Sequence, residues 1–377
     1  MNYFITGASG FIGRFLLGEL IARPNAQIYV LLRGASYPRF ASRLVRFGAT
    51  ARRIHIVEGD ITIPGLVTER GREALPDAID HVFHLAAVYD MAMSDEVARE
   101  VNERGTRNVV DFVNGLSGSV RFHHVSSVAV AGPHLVGPYL EEHFDRGQTL
   151  DHPYYRSKFD AERIVRDECR VPVRIYRPGI VVGHSKTGEI DKFDGPYYFF
   201  DAVRKFVPLL PKRLPLLIVE GGLLPIVPVD YVVRALDVIA HRPDLDGKVF
   251  GLFAPDPPSV GELVAQLVSL AGGPVVRRIR FPPLARLANR IVACATRFVP
   301  NWLARRVSEW TSVPTSVLGQ LFTQTRFDDR NTRDALVGTG VRCPRFAEFA
   351  PAMWAGWERA DRRAEAGTRR PDPELRC

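Results

Sequence analysis

Cysteine, lysine and long apolar runs are scarce in this 377-residue sequence. The four cysteines are widely spaced and form no C-x-x-C pair, which argues against a disulfide framework and favours a reducing, cytoplasmic environment. The sequence contains no H-E-x-x-H motif and no Cys/His cluster, so we expect no metal site. No apolar run reaches the ~18 residues of a membrane span, and the N-terminus lacks the basic start of a signal peptide.

Arginine supplies most of the positive charge. The 50 Lys+Arg residues outnumber the 42 Asp+Glu residues, giving a formal charge of +8, and only six of the 50 are lysines. This excess fits either a compositional bias or an attraction to polyanions such as phosphorylated cofactors, nucleic acid or membrane headgroups. Because 46% of the residues are hydrophobic and 24% are charged, we expect an ordinary folded chain.

Short apolar runs alternate with amphipathic stretches through the first third of the chain, a pattern that predicts a parallel sheet covered by helices. The fold class is therefore α/β, with a Rossmann doubly wound parallel sheet. The predicted strands are 3–6, 27–32, 54–58, 81–85, 121–125 and 173–176. The predicted helices of this region are 11–21, 100–114 and 155–169.

The character of the sequence changes after Pro178, where prolines and glycines become frequent and the apolar runs become short. Helical patterns dominate from Val260 onward, which predicts a smaller, mostly helical C-terminal substrate lobe built on the same sheet. The last residues are polar and contain proline, so we expect a disordered tail or linker. The predicted units are a cofactor-binding core of 1–180 with 222–253, a substrate lobe of 181–221 and 254–357, and a tail of 358–377.

A glycine-rich loop follows the first predicted strand. Its sequence, T-G-A-S-G-F-I-G, places glycines at positions 7, 10 and 13 and leads into a predicted helix. The glycines permit a tight turn, a close approach of backbone to a pyrophosphate and tight packing of helix on strand. The free N–H groups of the helix N-terminus then face the phosphates. The sequence therefore predicts a dinucleotide site.

The second strand indicates which dinucleotide binds. An acidic residue ~20 positions after the glycines would bind the 2′-hydroxyl of NAD. Arg33 stands there instead, and a guanidinium suits a 2′-phosphate, with Arg43 of the next helix offering a second contact. We therefore predict NADPH. The alternative is that Arg33 is one more solvated surface arginine of an arginine-rich chain.

Tyr154 and Lys158 lie four residues apart on one face of a predicted helix. A nearby ammonium favours the tyrosinate and lowers the tyrosine pKa from ~10 toward neutrality, where the phenol works as a general acid. Lys158 can also hold the hydroxyls of the nicotinamide ribose. The strand before this helix ends in Ser126-Ser127, at the edge where ligands of open α/β sheets bind. A serine hydroxyl there can donate a hydrogen bond to a substrate carbonyl. A plain ion pair on the helix and a serine-rich loop are the alternative.

These motifs, taken in order, resemble the extended short-chain dehydrogenase/reductase pattern. The matching residues are T-G-x-x-G-x-x-G at 6–13, Asp60, L-A-A at 85–87, N-x-x-G-T at 102–106, Ser127, Y-x-x-x-K at 154–158 and R-P-G at 177–179. More narrowly, residues 1–357 resemble the N-terminal reductase module of bacterial fatty acyl-CoA reductases, most specifically in the stretch GHSKTGEIDKFDGPYYFF. A more distant similarity is to the thioester-reductase domains of carboxylic acid reductases.

The resemblance implies a role for each matched position. The catalytic residues are Ser127, Tyr154 and Lys158. Ser127 is preferred to Ser126 because it precedes Gly132 by five positions, and Tyr154 to Tyr155 because only Tyr154 has a lysine four residues later. The expected cofactor contacts, besides Tyr154 and Lys158, are Gly7, Ser9, Gly10, Phe11, Ile12, Gly13, Arg33, Arg43, Asp60, Ile61, Leu85, Ala86, Ala87, Asn102, Pro178, Gly179 and Ile180. The expected substrate contacts are Tyr89, His184 and Tyr197.

The activity that the resemblance implies is NADPH-dependent reduction of a fatty acyl-CoA thioester to the aldehyde. Onward reduction to the alcohol stays open, because two-module family members have a second reductase unit beyond the position of Cys377. Residues 193–210 could line an acyl channel or simply pack within the lobe. Two alternatives share the cofactor site: an oxidoreductase of ketones or hydroxyls, of the 3-hydroxysteroid or β-keto acid type, and a non-catalytic NADP(H)-binding sensor.

Residues 282–306 are basic and apolar at a partly helical spacing. This pattern favours a helical lid of the substrate lobe with its arginines in water, and peripheral contact with a membrane surface is the alternative. Trp302 and Trp310 fit packing better than a nucleic-acid platform, so we expect no nucleic-acid partner. The expected location is cytoplasmic, with a peripheral membrane association as the variant.

Overall fold

The fold is organised around a seven-stranded parallel sheet, whose strands lie in the order Ile54–Glu58, Gln27–Leu32, Asn2–Thr6, His81–His84, Arg121–Val125, Val173–Pro178 and Val249–Leu252. A computed structural model describes residues 1–89, 93–191, 193, 195–211, 213–279 and 324–365. Its strands are β1 Asn2–Thr6, β2 Gln27–Leu32, β3 Ile54–Glu58, β4 His81–His84, β5 Arg121–Val125, β6 Val136–Tyr139, β7 Val173–Pro178, β8 Ile180–Val182, β9 Leu216–Val219, β10 Ile226–Pro228, β11 Val249–Leu252, β12 Val276–Ile279 and β13 Gln324–Phe327.

Helices cover both faces of the sheet. They are α1 Phe11–Ile21, α2 Tyr37–Leu44, α3 Glu69–Arg72, α4 Asp95–Val97, α5 Gly105–Asn114, α6 Pro153–Glu168, α7 Tyr198–Phe206, α8 Val229–His241, α9 Val260–Leu270, α10 Arg330–Leu336 and α11 Phe346–Glu365. A π-helical segment, Ala98–Arg104, joins α4 to α5. One apolar core packs α1 and α8 against the sheet, and the other packs α5 and α6 against its opposite face. The structure thus confirms the predicted α/β Rossmann class.

The central strands are apolar on both sides because helices cover both faces. Ile5 of β1 and Phe83 of β4 face one core, their neighbours Phe4 and Val82 face the other, and all four are fully buried. The strand order changes direction between β1 and β4, which opens a crevice at the carboxyl ends of these two strands. Since α1 begins beside this crevice, its N-terminus faces the same opening.

A third apolar core lies in the C-terminal lobe, where α7, α9 and α11 pack together. Phe200 is fully buried, and its ring centroid lies 5.4 Å from that of Trp354 and 5.7 Å from that of Trp357. Three two-stranded parallel pairs lie outside the main sheet: β8–β10, β6–β13 and β9–β12. The last pair lies within the lobe, so its described part combines helices with a small parallel pair.

The sequence predicts that a disordered tail or linker begins at residue 358, and this starting point is wrong. Residues 358–365 continue α11, because Trp354 donates a hydrogen bond from its indole N–H to Glu358 at 3.0 Å, and Arg204 of α7 forms an ion pair with Asp361. The side chains of residues 358–362 are partly or fully exposed, whereas Trp354 and Trp357 of the same helix are buried, which explains the polar composition of 358–362. Residues 366–377 lie outside the described residues.

The segment 282–306, with its predicted lid or membrane contact, also lies outside the residues that the structure describes. Across the ranges that are described, none of the helices combines the length and the apolar character needed to cross a bilayer.

Replacing Phe200 with alanine removes the ring at the centre of the lobe core. We expect Phe200→Ala to lower the free energy of unfolding by about 3–5 kcal/mol, since the two tryptophans lose a fully buried partner. Leu209→Ala, at a side chain that is 74% exposed, serves as the control and should change it by less than about 0.5 kcal/mol. Urea denaturation measures both values, and equal effects of the two substitutions would contradict the described packing.

Candidate active site

A cleft of about 560 Å³ lies at the carboxyl edge of the main sheet. Its walls come from the loops after β1, β4, β5 and β7, together with β8 and part of the C-terminal lobe. This volume is in the usual range for small-molecule and cofactor sites. The sequence-predicted residues that line it are Gly7, Ser9, Gly10, Phe11, Ile12, Gly13, Arg33, Asp60, Ile61, Leu85, Ala86, Ala87, Tyr89, Ser127, Tyr154, Lys158, Pro178, Gly179 and Ile180.

The glycine loop forms the floor of the cleft beside β1. Gly7 has φ +77°, and a Cβ atom there would lie 2.5 Å from the backbone nitrogen of Ala86. A Cβ atom on Gly13 would lie 2.2 Å from the carbonyl oxygen of Gly7. Gly10 precedes α1, whose start has no side-chain cap and no acidic residue in its first turn. The positive end of this helix is therefore presented to the cleft.

One end of the cleft is polar and basic. Arg33 and Ser36 line it after β2, and the carboxylate of Asp60, after β3, accepts hydrogen bonds from the backbone N–H and the hydroxyl of Thr62 at 2.9 and 3.0 Å. Arg43 does not line the cleft, which corrects its predicted direct contact with the cofactor. Its guanidinium instead donates to the carbonyl of Ser9 at 2.9 Å and so supports the glycine loop from behind.

Arg43 belongs to a group of neighbouring guanidinium groups. Burial lowers its pKa, the carboxylate of Asp191 opposes that shift, and Arg39, Arg14 and Arg46 lower the pKa further. Arg46 also donates to the carbonyl of Arg14 on α1. Glu189 and Asp191 pair with Arg14, and the remaining guanidinium groups leave an excess of positive charge beside the glycine loop, which favours an anionic ligand at this end.

Helix α6 presents the tyrosine and the lysine to the middle of the cleft. The imidazole of His152 caps the helix by accepting from the backbone N–H of Tyr154 at 3.1 Å. Lys158 is only 5% exposed, and its ammonium donates to the carbonyl of Val125 at the end of β5, at 3.2 Å. Burial lowers the pKa of Lys158 to about 8, opposed by the charge of Glu162. Tyr89 packs edge-on against Tyr154, with 5.0 Å between the ring centroids.

The two adjacent serines after β5 have different environments. The hydroxyl of Ser126 is buried and donates to the carboxylate of Glu162 at 2.6 Å. The oxygen of Ser127 accepts from the backbone N–H of Ala129 at 3.1 Å, which leaves its O–H able to donate into the cleft. Geometry thus gives Ser127, rather than Ser126, the hydroxyl suited to a substrate carbonyl.

Three residues assigned by resemblance do not line the cleft. Asn102 is 1% exposed, and its amide bonds the backbone N–H of Val88 at 2.8 Å, the carbonyl of Val88 at 3.1 Å and the hydroxyl of Ser157 at 3.0 Å. Its role is to shape the loop after β4. The hydroxyl of Tyr197 is buried and accepts from the N–H of Gly183 at 3.0 Å, while His184 packs on Phe15.

The far end of the cleft is apolar, and the sequence motifs did not reveal most of it. The lining residues there that sequence reasoning missed are Val128, Ala129, Pro133, Val181, Leu223, Leu224, Pro225 and Phe327. Ile190 and Asp191 also line the cleft, next to the N-terminal part of α1, where Asp191 pairs with Arg14 at 3.1 Å. Phe327 reaches the site because β13 pairs with β6. Of the predicted acyl-channel stretch, Phe199 lines the cleft, whereas Phe200 and Val203 pack into the lobe core.

Histidines are frequent in the sheet but are not arranged around a common centre. His81 bonds His123 at 2.9 Å, His123 bonds the hydroxyl of Tyr176 at 2.9 Å, and His124 lies on the other face of β5. No group of three or more His, Cys, Asp or Glu side chains suited to a metal ion occurs within the described ranges.

Comparison with known proteins identifies the family. The model of a family of NAD-binding proteins described as male sterility protein matches residues 5–236. The aldehyde reductase lnbA of Aspergillus flavus is 30% identical over 325 residues, which cover 77% of this chain and 30% of that protein. This chain therefore spans less than a third of the length of that relative.

Solved structures of reductase domains share the whole fold. The terminal R domain of the myxalamid PKS-NRPS biosynthetic pathway superposes with a TM-score of 0.74 at 26% identity, covering 98% of this chain and 92% of the other. A thiolation-reductase di-domain from an archaeal non-ribosomal peptide synthetase has the same fold, with a TM-score of 0.70 at 20% identity, covering 96% and 76%. The chain belongs to the male sterility protein family and has the extended short-chain dehydrogenase/reductase fold with a nicotinamide-cofactor domain.

Proposed function

We propose that this protein reduces a fatty acyl-CoA thioester to the aldehyde with NADPH. The single observation that carries the proposal is the continuity of the cleft, which runs from the glycine loop past Ser127, Tyr154 and Lys158 to an apolar wall. A reductase acting on a carbonyl or acyl substrate agrees with the names of the similar proteins, an aldehyde reductase and the terminal R domain of a PKS-NRPS biosynthetic pathway.

The described residues fit a dinucleotide cofactor. Backbone atoms of Ala86 and of Gly7 fill the positions that Cβ atoms on Gly7 and Gly13 would take, so the glycine loop packs tightly between β1, the loop after β4 and α1. The uncapped start of α1 presents its N–H groups to the cleft, as a diphosphate requires. Arg33 and Ser36, which line the cleft after β2, would hold a 2′-phosphate, and Arg43 and its neighbours add positive charge. These features favour NADPH over NADH.

Bound NADPH supplies the hydride of the reaction. Ser127 and Tyr154 donate hydrogen bonds to the carbonyl oxygen of the substrate and stabilise the negative charge that develops there. The ammonium of Lys158, one helical turn from Tyr154, favours partial ionisation of the phenol and holds the ribose hydroxyls. Because the pKa of Lys158 is about 8, this support weakens on the alkaline side of neutrality.

The thioester bond breaks when the tetrahedral hemithioacetal collapses. The substrate carbon gains one hydride, its carbon–sulfur bond breaks, and the sulfur leaves as CoA thiolate, which takes up a proton. The apolar wall around Phe199, Leu224 and Phe327 holds the acyl chain on the side of the cleft away from the basic end. The products are an aldehyde, CoA thiol and NADP⁺.

The direct test is an NADPH-oxidation assay with acyl-CoA, fatty aldehyde and ketone panels. We expect oxidation with long acyl-CoA, release of one thiol per aldehyde formed, and no oxidation with 3-ketosteroids or β-keto acids. A thiol reagent follows the CoA, and mass spectrometry identifies the aldehyde or alcohol. Oxidation with ketones and no thiol would indicate a ketone reductase, and NADPH binding without any turnover would indicate a sensor.

Replacing the hydroxyl of Tyr154 tests the proposed acid. We expect Tyr154→Phe to lower kcat at least about a hundredfold, because a general acid contributes ~10²–10⁴ to the rate, while the Kd for NADPH changes little. Tyr29→Phe, at a ring stacked on His55 in the sheet, serves as the control. An unchanged kcat, or a larger loss with Tyr155→Phe than with Tyr154→Phe, would refute the assignment.

Arg33 tests the choice of cofactor. We expect Arg33→Ala to raise the KM for NADPH about tenfold or more, since a hydrogen bond to a charged group contributes ~1.5–3 kcal/mol, and to leave the KM for NADH nearly unchanged. Arg70→Ala, at a side chain that is 88% exposed, should alter neither value. A wild-type KM that is lower for NADH than for NADPH would overturn the assignment.

A further inference from the structure

Glu162 is a fully buried carboxylate on α6, one helical turn beyond Lys158. Its oxygens accept hydrogen bonds from the hydroxyl of Ser126 at 2.6 Å, from Nε of Arg177 at 3.0 Å and from Nε of Arg166 at 2.9 Å. A second bond from Arg177, through Nη2 at 2.5 Å, makes that pair bidentate. No family motif of the sequence pointed to this residue.

The charge on Glu162 is maintained despite its burial. Burial raises the pKa of the carboxyl, but Arg177, Arg166 and Ser126 together lower it below its ordinary value. A buried charge costs several kcal/mol unless it is paired and its lone pairs are satisfied, and here three side chains satisfy them. Glu162 is therefore an anion at neutral pH, fixed in place by its partners.

The partners of Glu162 belong to two different strand ends of the cleft. Ser126 directly precedes Ser127, and Arg177 directly precedes Pro178. Ser127 and Pro178 both line the cleft. The backbone N–H of Ser126 also donates to the carbonyl of Tyr176 at 2.7 Å, which ties the ends of β5 and β7 together. One carboxylate on α6 thus bonds to both segments that flank the reacting groups.

We propose that Glu162 is a positioning residue, whose carboxylate fixes the helix of Tyr154 and Lys158 relative to the strand ends of Ser127 and Pro178. This inference rests on the roles proposed above for Ser127, Tyr154 and Lys158. The carboxylate does not line the cleft, so it acts through its neighbours. Small displacements of reacting groups are costly, since a shift of ~1 Å can lower the rate about a hundredfold.

The charge of Glu162 also acts on Lys158. Among the described groups, Lys158 faces Glu162 on its own helix, His84 on β4 and His124 on β5. Burial lowers the pKa of both histidines far below neutrality, so neither is charged there. Glu162 in turn forms ion pairs with Arg166 on α6 and with Arg177 on β7. Removing the carboxylate charge therefore lowers the pKa of Lys158.

The test compares Glu162→Gln with Glu168→Gln. Both sites are on α6, but Glu168 is partly exposed, with its carboxylate 3.2 Å from Arg107. The pH dependence of the Kd for NADPH, followed by cofactor fluorescence, reports the ionisation of Lys158 without turnover. We expect the alkaline midpoint to fall by at least about half a pH unit in Glu162→Gln and to stay unchanged in Glu168→Gln. We also expect kcat to fall at least about tenfold in Glu162→Gln only.

A merely structural role would change the melting temperature and leave both readouts in place. A folded Glu162→Gln protein with an unshifted midpoint and an unchanged kcat overturns the proposal. A wild-type protein whose Kd for NADPH shows no midpoint at alkaline pH overturns it as well.

If the wild type turns over no thioester or aldehyde, the proposed function fails, and the midpoint of NADPH binding alone decides the role of Glu162. If Glu162→Gln does not fold, Ser126→Ala decides: a lower kcat or weaker NADPH binding supports the proposal, and no change in either overturns it.

Discussion

The site depends on one constraint, the parallel direction of the seven strands of the main sheet. Parallel strands end at the same edge, so segments that are far apart in the sequence meet there. The glycine loop follows β1, Ser127 follows β5, and Pro178 ends β7, and all three line one cleft. The reversal of strand order between β1 and β4 leaves that edge open. A cofactor and a substrate can therefore bind along the same line of strand ends.

Helix α6 is not part of the sheet, and polar contacts fix its position as well as apolar packing. Lys158 bonds the last carbonyl of β5, and Glu162 bonds the residues next to Ser127 and Pro178. Apolar packing alone is non-directional, whereas buried charges must keep their partners or lose several kcal/mol. These contacts explain how a helix on one face of the sheet holds its side chains in register with loops at the sheet edge.

Short-range features of the sequence predicted the first strand, the glycine loop and the first helix, because the three are contiguous. The spacing of Tyr154 and Lys158 within one helix was equally readable. Long-range contacts were not: Phe327 reaches the cleft through β13, where the Thr325 hydroxyl bonds the carbonyl of Leu135, 190 residues away in the chain. The sequence motif around Asn102 predicted a cofactor contact, but the Asn102 amide bonds the backbone of Val88. A sequence motif does not show whether an amide side chain faces a ligand or the backbone of the protein.

The central claim is that hydride passes from NADPH to the carbonyl carbon of an acyl thioester in this cleft. The most direct measurement uses NADPH deuterated at the transferable position of the nicotinamide, with a long-chain acyl-CoA and mass analysis of the product. We expect an aldehyde with one deuterium on its carbonyl carbon, and one equivalent of free CoA. An aldehyde without deuterium, or a deuterated substrate formed without release of CoA, would contradict the claim.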